Sequence, residues 1–196
     1  MSKTGIILMA AGESKRLGRP KQLLPFRGTT LLRHAAQTAV SAGIGPVVVV
    51  LGARHEECCK TLDGLPVNIV VNQSWEEGIG TSIAIGMNAI LTEDPEGVIV
   101  MLCDQPCVSF AALKRLELKQ SLTNYDIVAS SYDGTAGPPA LFMSGCFDEL
   151  LALRGPQGAK ALLADTKRVA LVPFPEGGLD VDEPCDLPAL ARLENG

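Results

Sequence analysis

The stretch Gly5-Ile-Ile-Leu-Met-Ala-Ala-Gly-Glu-Ser-Lys-Arg-Leu-Gly-Arg-Pro-Lys-Gln-Leu-Leu-Pro25 constrains the fold more than any other part of the chain. Ile6 to Ala10 is an apolar run of the length of a buried parallel strand, and it stops abruptly in small residues followed by cations. Ala10, Ala11 and Gly12 carry little or no side chain, so a phosphate can approach their backbone N–H groups closely, as in other anion nests. Arg16, Arg19 and Lys21 add fixed positive charge in a chain of formal net charge -5. The stretch reads as a strand feeding a polyanion site. The plainer alternative is a strand followed by a basic solvated turn.

Two familiar phosphate loops do not fit. The dinucleotide pattern G-x-G-x-x-G fails because Gly12 and Gly18 are the only glycines that follow the strand, and Walker A fails because Arg19, not Lys, follows Gly18. The rest of the chain reads as one α/β domain, a size that buries a substantial core without disulfides or structural metal. Lys+Arg 17 against Asp+Glu 22 gives no general basic surface, which argues against nucleic acid as a partner. Cys58, Cys59, Cys103, Cys107, Cys146 and Cys185 show neither a C-x-x-C pair nor a zinc spacing, so all six are expected as reduced thiols. Met1-Ser-Lys-Thr-Gly has no signal-peptide design, and no apolar run approaches about 18 residues, so the expectation is a soluble cytoplasmic protein without a membrane partner.

In chain order, Thr30 caps an expected helix from Leu31 to about Ala42 that Gly43 closes, and Val47 to Leu51 is a second buried strand. Strand, helix, strand implies a right-handed crossover and a mostly parallel sheet. A short polar helix follows Gly52 to Glu56, then a strand from Val67 to Val71. His55 and His34 read as solvated or capping residues, not as bases. Gly78 and Gly80 form a turn from which Thr81 or Ser82 opens a helix; its free N–H groups can face a nucleotide or be those of an ordinary capped helix. Val98 to Leu102 is a further buried strand, with Asp104-Gln-Pro106 directly after it and a helix from Phe110 to Ser121.

Ligands of an open parallel sheet bind beyond the carboxyl ends of its strands, so Asp104 falls on the same edge as the cationic loop. There it either holds Mg2+ or caps the turn before the helix. Ile127 to Ser131 is a strand, and Pro138 and Pro139 place the extended piece after Gly134 near a sheet edge. Helices are expected over Phe147–Leu153 and Ala159–Leu163, and a last strand over Val169–Pro173. Alternation in Asp180-Val-Asp182 sends both acids to one face of an extended backbone. Asp186 is a candidate N-cap for the closing helix.

The spacing A-A-G-x-S-x-R-x-G-x-P-K, from Ala10 to Lys21, resembles the MobA-like nucleotidyltransferases, and within them the MocA-type molybdenum cofactor cytidylyltransferases. The resemblance covers nearly the whole chain and implies a three-layer, Rossmann-like nucleotidyltransferase fold. It also implies that Met9, Ala10, Ala11, Gly12, Arg16 and Lys21 hold the triphosphate of CTP. N-x-x-W-x-x-G-x-x-x-S is similar to the base and ribose loop, which makes Gly78 and Ser82 candidates for nucleoside recognition and Trp75 a buttress. Asp-Gln-Pro and the ending D-x-D-x-P-x-D-L imply that Asp104 and Asp182 hold Mg2+, leaving Asp180 to orient backbone.

Arg16, Lys21 and Asp104 are then the candidate catalytic residues. The implied acceptor is molybdopterin cofactor, with a molybdoenzyme or its maturation chaperone as recipient. A phosphate acceptor is already largely anionic at neutral pH, so no general base is required. Pro138, Pro156 and Lys160 depart from the pattern and leave the acceptor open. Guanylyl transfer, another phosphorylated acceptor such as a sugar phosphate, and a non-catalytic nucleotide-binding or cofactor-delivery protein stand as alternatives.

Overall fold

Val47 to Leu51 has no polar residue to give to solvent, and it lies fully buried in mid-sheet. The same logic sets the other central strands. The computed structural model describes residues 3–194, so Met1 and Ser2 of the amino-terminal reading lie outside the described residues.

The strands and helices run β1 (Thr4–Ala10), β2 (Pro25–Phe26), β3 (Thr29–Thr30), α1 (Leu31–Ser41), β4 (Val47–Leu51), α2 (His55–Thr61), β5 (Asn68–Val71), α3 (Ile79–Ile90), β6 (Gly97–Leu102), α4 (Phe110–Ser121), β7 (Ile127–Tyr132), β8 (Thr135–Met143), α5 (Phe147–Leu151), α6 (Lys160–Leu163), β9 (Val169–Pro173) and α7 (Leu187–Glu194). Seven strands form one sheet in the order β5-β4-β1-β6-β8-β7-β9. Only β8 runs against its neighbours; β1 is parallel to both β4 and β6, and β7 is parallel to β9.

Alternate residues of each strand serve opposite faces, which makes two cores. Ile6, Leu8, Val47, Val49, Ile99 and Met101 pack with Leu32 and Ala36 of α1 and Leu113 and Leu116 of α4. Ile7, Met9, Val48, Val50, Val98 and Val100 pack with Ile83, Met87 and Ile90 of α3 and Phe147 and Leu150 of α5. The result is the expected three-layer α/β arrangement.

A third, smaller cluster matters most for the site. Leu17, Leu24, Phe26 and Leu31 from the amino-terminal segment enclose Val181 and Leu190 from the carboxy-terminal one. That contact brings residues about 160 positions apart in sequence to one edge of the sheet.

Three expectations are corrected. Pro138 and Pro139 do not mark an edge, because β8 lies inside the sheet between β6 and β7. The prolines are accommodated where both ladders are interrupted: β6 pairs only with Ala140–Met143, and the β7 register shifts between Ala129 and Ser130. The helix α3 opens at Ile79, from Gly78 at φ 114, not at Thr81 or Ser82, whose side chains are turned inward. Asp186 is no N-cap residue; it sits at the third position of a single 3-10 turn and reaches back, accepting from Glu183 N at 2.7 Å and Asp182 N at 2.9 Å.

Candidate active site

The carboxyl ends of β1 and β6 and the first turn of α3 enclose a cleft of about 380 Å3, lined by Met9, Ala10, Ala11, Gly12, Lys21, Gly78, Ser82 and Asp104 among others. Every candidate nucleotide residue therefore lines one cavity except Arg16, which is mostly exposed; neither Arg16 nor the candidate metal residue Asp182 is among the lining residues, and both connect to the cavity through the Asp182–Lys21 ion pair.

The loop is held by a residue the sequence analysis passed over. Gln22 is 1% exposed, and its amide nitrogen donates to Ala10 O at 3.0 Å and Gly12 O at 2.6 Å. Ser14, at φ 63, accepts the Lys21 N–H at 3.1 Å, and Ala53 N donates to Ala11 O at 3.0 Å. The carbonyls of the loop are thus engaged inward, and the small residues stay close to the cleft. The short turn Lys21–Leu23 that presents both Lys21 and Gln22 follows Pro20, whose fixed φ restricts the entry. A polar residue buried between a proline and two leucines carries no motif that would have flagged it.

The α3 side of the cleft, the candidate nucleoside wall, rests on a neutral hydrogen-bond network around Asn72, which is fully buried at the end of β5. Its amide nitrogen donates to Thr81 Oγ1 at 3.0 Å and Ser82 Oγ at 2.8 Å, and its oxygen accepts from Ser74 N at 2.8 Å. Ser82 is thus 1% exposed and occupied by Asn72, which makes it a supporting residue of the wall. The signal was present: an Asn closing an apolar strand, ten residues before Ser82. Gly78 and Gly80 are required by close packing. A Cβ at Gly78 would sit 2.5 Å from Gly155 C, one at Gly80 would sit 2.7 Å from Arg154 C, and Gly80 N donates to Gly155 O at 2.9 Å. Trp75 is half-buried, lines the cleft and packs against Gly52, just past the end of β4, where an added Cβ would sit 2.7 Å from Trp75 Cβ. Of the histidines, His55 lies with Nδ1 3.3 Å from Gly52 O, and His34 stands edge-on to Phe26 at 4.8 Å.

The charged wall is built from both ends of the chain. Val181 is fully buried in the third cluster, so its neighbours Asp180 and Asp182 face the other way, as the alternation predicts. Lys21 Nζ bonds Asp104 Oδ2 and lies 2.6 Å from Asp182 Oδ1. Arg16 donates to Asp182 Oδ2 at 2.5 Å and to Glu183 Oε1 at 3.2 Å. Desolvation acts against the Lys21 charge, but Asp104 and Asp182 outweigh it and hold its pKa above the ordinary lysine range. Asp182, then Glu183, raise the pKa of Arg16. Asp180 is pushed up by desolvation and then by the Asp104 and Asp182 charges, the mark of negative charge gathered at one place. Asp104 does not cap α4; Ser109 does, accepting from Ala112 N at 3.2 Å.

The donor set suits a hard divalent cation. Asp104 Oδ1 is buried with no hydrogen-bond partner, and an unpaired carboxylate oxygen there costs about 1–3 kcal/mol unless something completes it. Among the described residues no group of three or more His, Cys, Asp or Glu side chains is arranged to hold a metal. Two carboxylates fit Mg2+, which is commonly held by one or two together with substrate phosphates and water. All six cysteines are free thiols, and burial raises those of Cys58 and Cys103. No described helix is long and apolar enough to cross a membrane.

Comparison with known proteins places the chain in a family. The MobA-like NTP transferase domain matches residues 6–169. PucB, the purine catabolism protein of Bacillus subtilis strain 168, is 31% identical over 166 residues, 80% of this chain and 78% of PucB. Nicotine blue oxidoreductase of Paenarthrobacter nicotinovorans is 44% identical over 111 residues, 56% of this chain but only 53% of that protein. A probable molybdenum cofactor guanylyltransferase of Bacillus cereus strain Q1 is 32% identical over 138 residues, 70% of this chain and 66% of the relative. The structure of the Rv0371c complex with manganese from Mycobacterium tuberculosis H37Rv superposes with a TM-score of 0.78 at 28% identity, covering 100% of both chains. With the family model matching more than half of the chain, the chain belongs to the MobA-like NTP transferase family and is a nucleotidyltransferase.

Proposed function

We propose that the protein is a Mg2+-dependent cytidylyltransferase that joins CMP from CTP to the phosphate of a molybdopterin-type acceptor and releases pyrophosphate. The observation that carries the reading is the Lys21 ammonium lying between Asp104 and Asp182 beside the backbone of Met9 to Gly12. Nucleotidyl transfer needs an in-line approach to the α-phosphorus and stabilisation of charge that builds on its oxygens and on the departing pyrophosphate. Lys21 and Arg16 supply that charge from the loop side, each leaving its carboxylate partner as the triphosphate arrives. Asp104 and Asp182 would hold Mg2+, which when bound neutralises triphosphate oxygens. Gln22 keeps the loop backbone against the cleft, and Gly78 lets the first turn of α3 line it while packed on residues 155–156. The nucleophilic oxygen belongs to the acceptor phosphate, so the protein need not abstract a proton.

CTP is favoured by Ala10-Ala11-Gly12, the form of the loop that resembles cytidine-using members. A second reading, guanylyl transfer, is favoured by the guanylyltransferase relative. Pyrophosphate release measured side by side with CTP, GTP and ATP, with Mg2+ and a phosphorylated pterin acceptor, decides between them. Turnover confined to GTP removes the first reading, and binding without release from any of the three leaves a nucleotide-binding protein.

A further inference from the structure

The charged wall depends on where the segment 174–183 lies, and that segment is fastened next door to Asp104. Val181 N donates to Asp104 O at 3.1 Å. The following side chain, Gln105, is 5% exposed, and its single amide nitrogen faces three acceptors: Gly177 O at 2.9 Å, Pro138 O at 3.1 Å and Tyr132 Oη at 3.2 Å. Two of these are carbonyls, which cannot donate, so the nitrogen must face them. One side chain thereby joins the β7–β8 hairpin, the 3-10 turn Pro175–Gly178 and the end of β6. Gly177 is confined at that junction, since a Cβ on it would sit 2.5 Å from Phe174 Cδ1 and 2.6 Å from Tyr132 Cδ1.

The other end of the same amide is unsatisfied. Gln105 Oε1 and Asp104 Oδ1 are buried acceptors without a partner, in adjacent residues. An amide chosen only to fill space would not leave its oxygen unpaired, at about 1–3 kcal/mol, when an apolar side chain of the same length avoids that cost. The retained group is explained by the carbonyls on its nitrogen side.

We propose that Gln105 is a positioning residue that fixes the spacing between Asp104 and Asp182 by clamping the segment carrying Asp182 to the end of β6. This rests on the metal-dependent nucleotidyl transfer read above. None of the side-chain hydrogen bonds of Gln105 goes to Lys21 or the loop 10–16, so its loss acts on the carboxylate pair and spares triphosphate capture.

The experiment compares Gln105→Met, which keeps length without donors, and Gln105→Asn, which keeps the amide but is one methylene too short to span both carbonyls. Mn2+ affinity is measured by electron paramagnetic resonance without nucleotide, kcat and KM by pyrophosphate release, and Val181 amide exchange by NMR without metal. Gln105→Met is expected to weaken Mn2+ about tenfold, lower kcat by a similar factor, leave the KM for the nucleotide within twofold and speed Val181 exchange. Gln105→Asn is expected to lie between it and the unsubstituted protein. Mn2+ affinity unchanged within twofold in folded Gln105→Met overturns the proposal, as does a loss of kcat accompanied by an equal rise in the nucleotide KM. If the unsubstituted protein turns over no nucleotide, the functional reading fails, while Val181 exchange still decides whether Gln105 is the clamp.

Discussion

The two walls of the cleft are held by different forces. The nucleoside wall is neutral and local: Asn72, Ser74, Thr81 and Ser82 lie within eleven residues and satisfy one another by hydrogen bonds of 2.8–3.0 Å. The charged wall joins Arg16 and Lys21 to Asp104, Asp182 and Glu183 across 83 to 167 positions of sequence. A buried neutral network has one good arrangement, and breaking it costs stability. An ion-pair network can exchange partners, since a triphosphate offers Arg16 and Lys21 what the carboxylates offer them now. The first wall is built to keep a shape and the second to change occupants.

The largest effect that would break this contrast is in Asp104→Ala. It should lower kcat by about a thousandfold, with the fold retained by circular dichroism, because removing one preorganised charge of this kind costs on the order of 10²–10³ or more. Full activity would show that the charged wall does no chemistry. Lys21→Ala should cost about 10²–10³ in kcat/KM for the nucleotide, roughly 3–4 kcal/mol at the transition state, measured by steady-state pyrophosphate release. An unchanged KM and kcat would move the triphosphate elsewhere.

Asn72→Ala tests the neutral wall. It should lose about 2 kcal/mol of stability by stranding the buried Ser82 hydroxyl and the Ser74 N–H, Thr81 keeping its bond to Gly78 O at 2.8 Å, a fall in Tm of about 4–8 °C by calorimetry. A loss of activity without that fall would make Asn72 a contact to substrate and erase the distinction. Smallest, Glu183→Gln should tighten metal-free nucleotide binding about two- to fivefold at low salt by releasing Arg16, the modest size reflecting an exposed pair, and Trp75 fluorescence reads it. Weaker binding would mean that Glu183 orients Arg16 instead of competing for it.

What the sequence made legible tracks locality. Val47–Leu51, Phe110–Ser121 and Val169–Pro173 were read to the residue, because an uninterrupted apolar run or a capped periodic helix is decided by its own side chains. The loop and Asp104 were placed on one edge by topology alone. The interior position of β8 was not legible: Pro138 and Pro139 argue locally for an edge, and a bulge in the neighbouring strand overrides them. Gln22, Asn72 and Gln105 were missed for one reason. Each is a buried amide whose partners are backbone groups or hydroxyls; Asn72 and Gln105 stand inside the N-x-x-W and Asp-Gln-Pro patterns, but a pattern does not say what a buried amide bonds, and Gln22 stands in none.

The contact of Gly78 and Gly80 with residues 154–156 reaches beyond packing. Backbone meets backbone there with no side chain between them, so neither segment can shift, lengthen or gain bulk without the other yielding. The stretch Arg154-Gly-Pro-Gln-Gly158 is therefore a remote handle on the side of the cleft that Gly78 and Ile79 line. Any change of bulk or length in those five residues will move that lining in the same stroke.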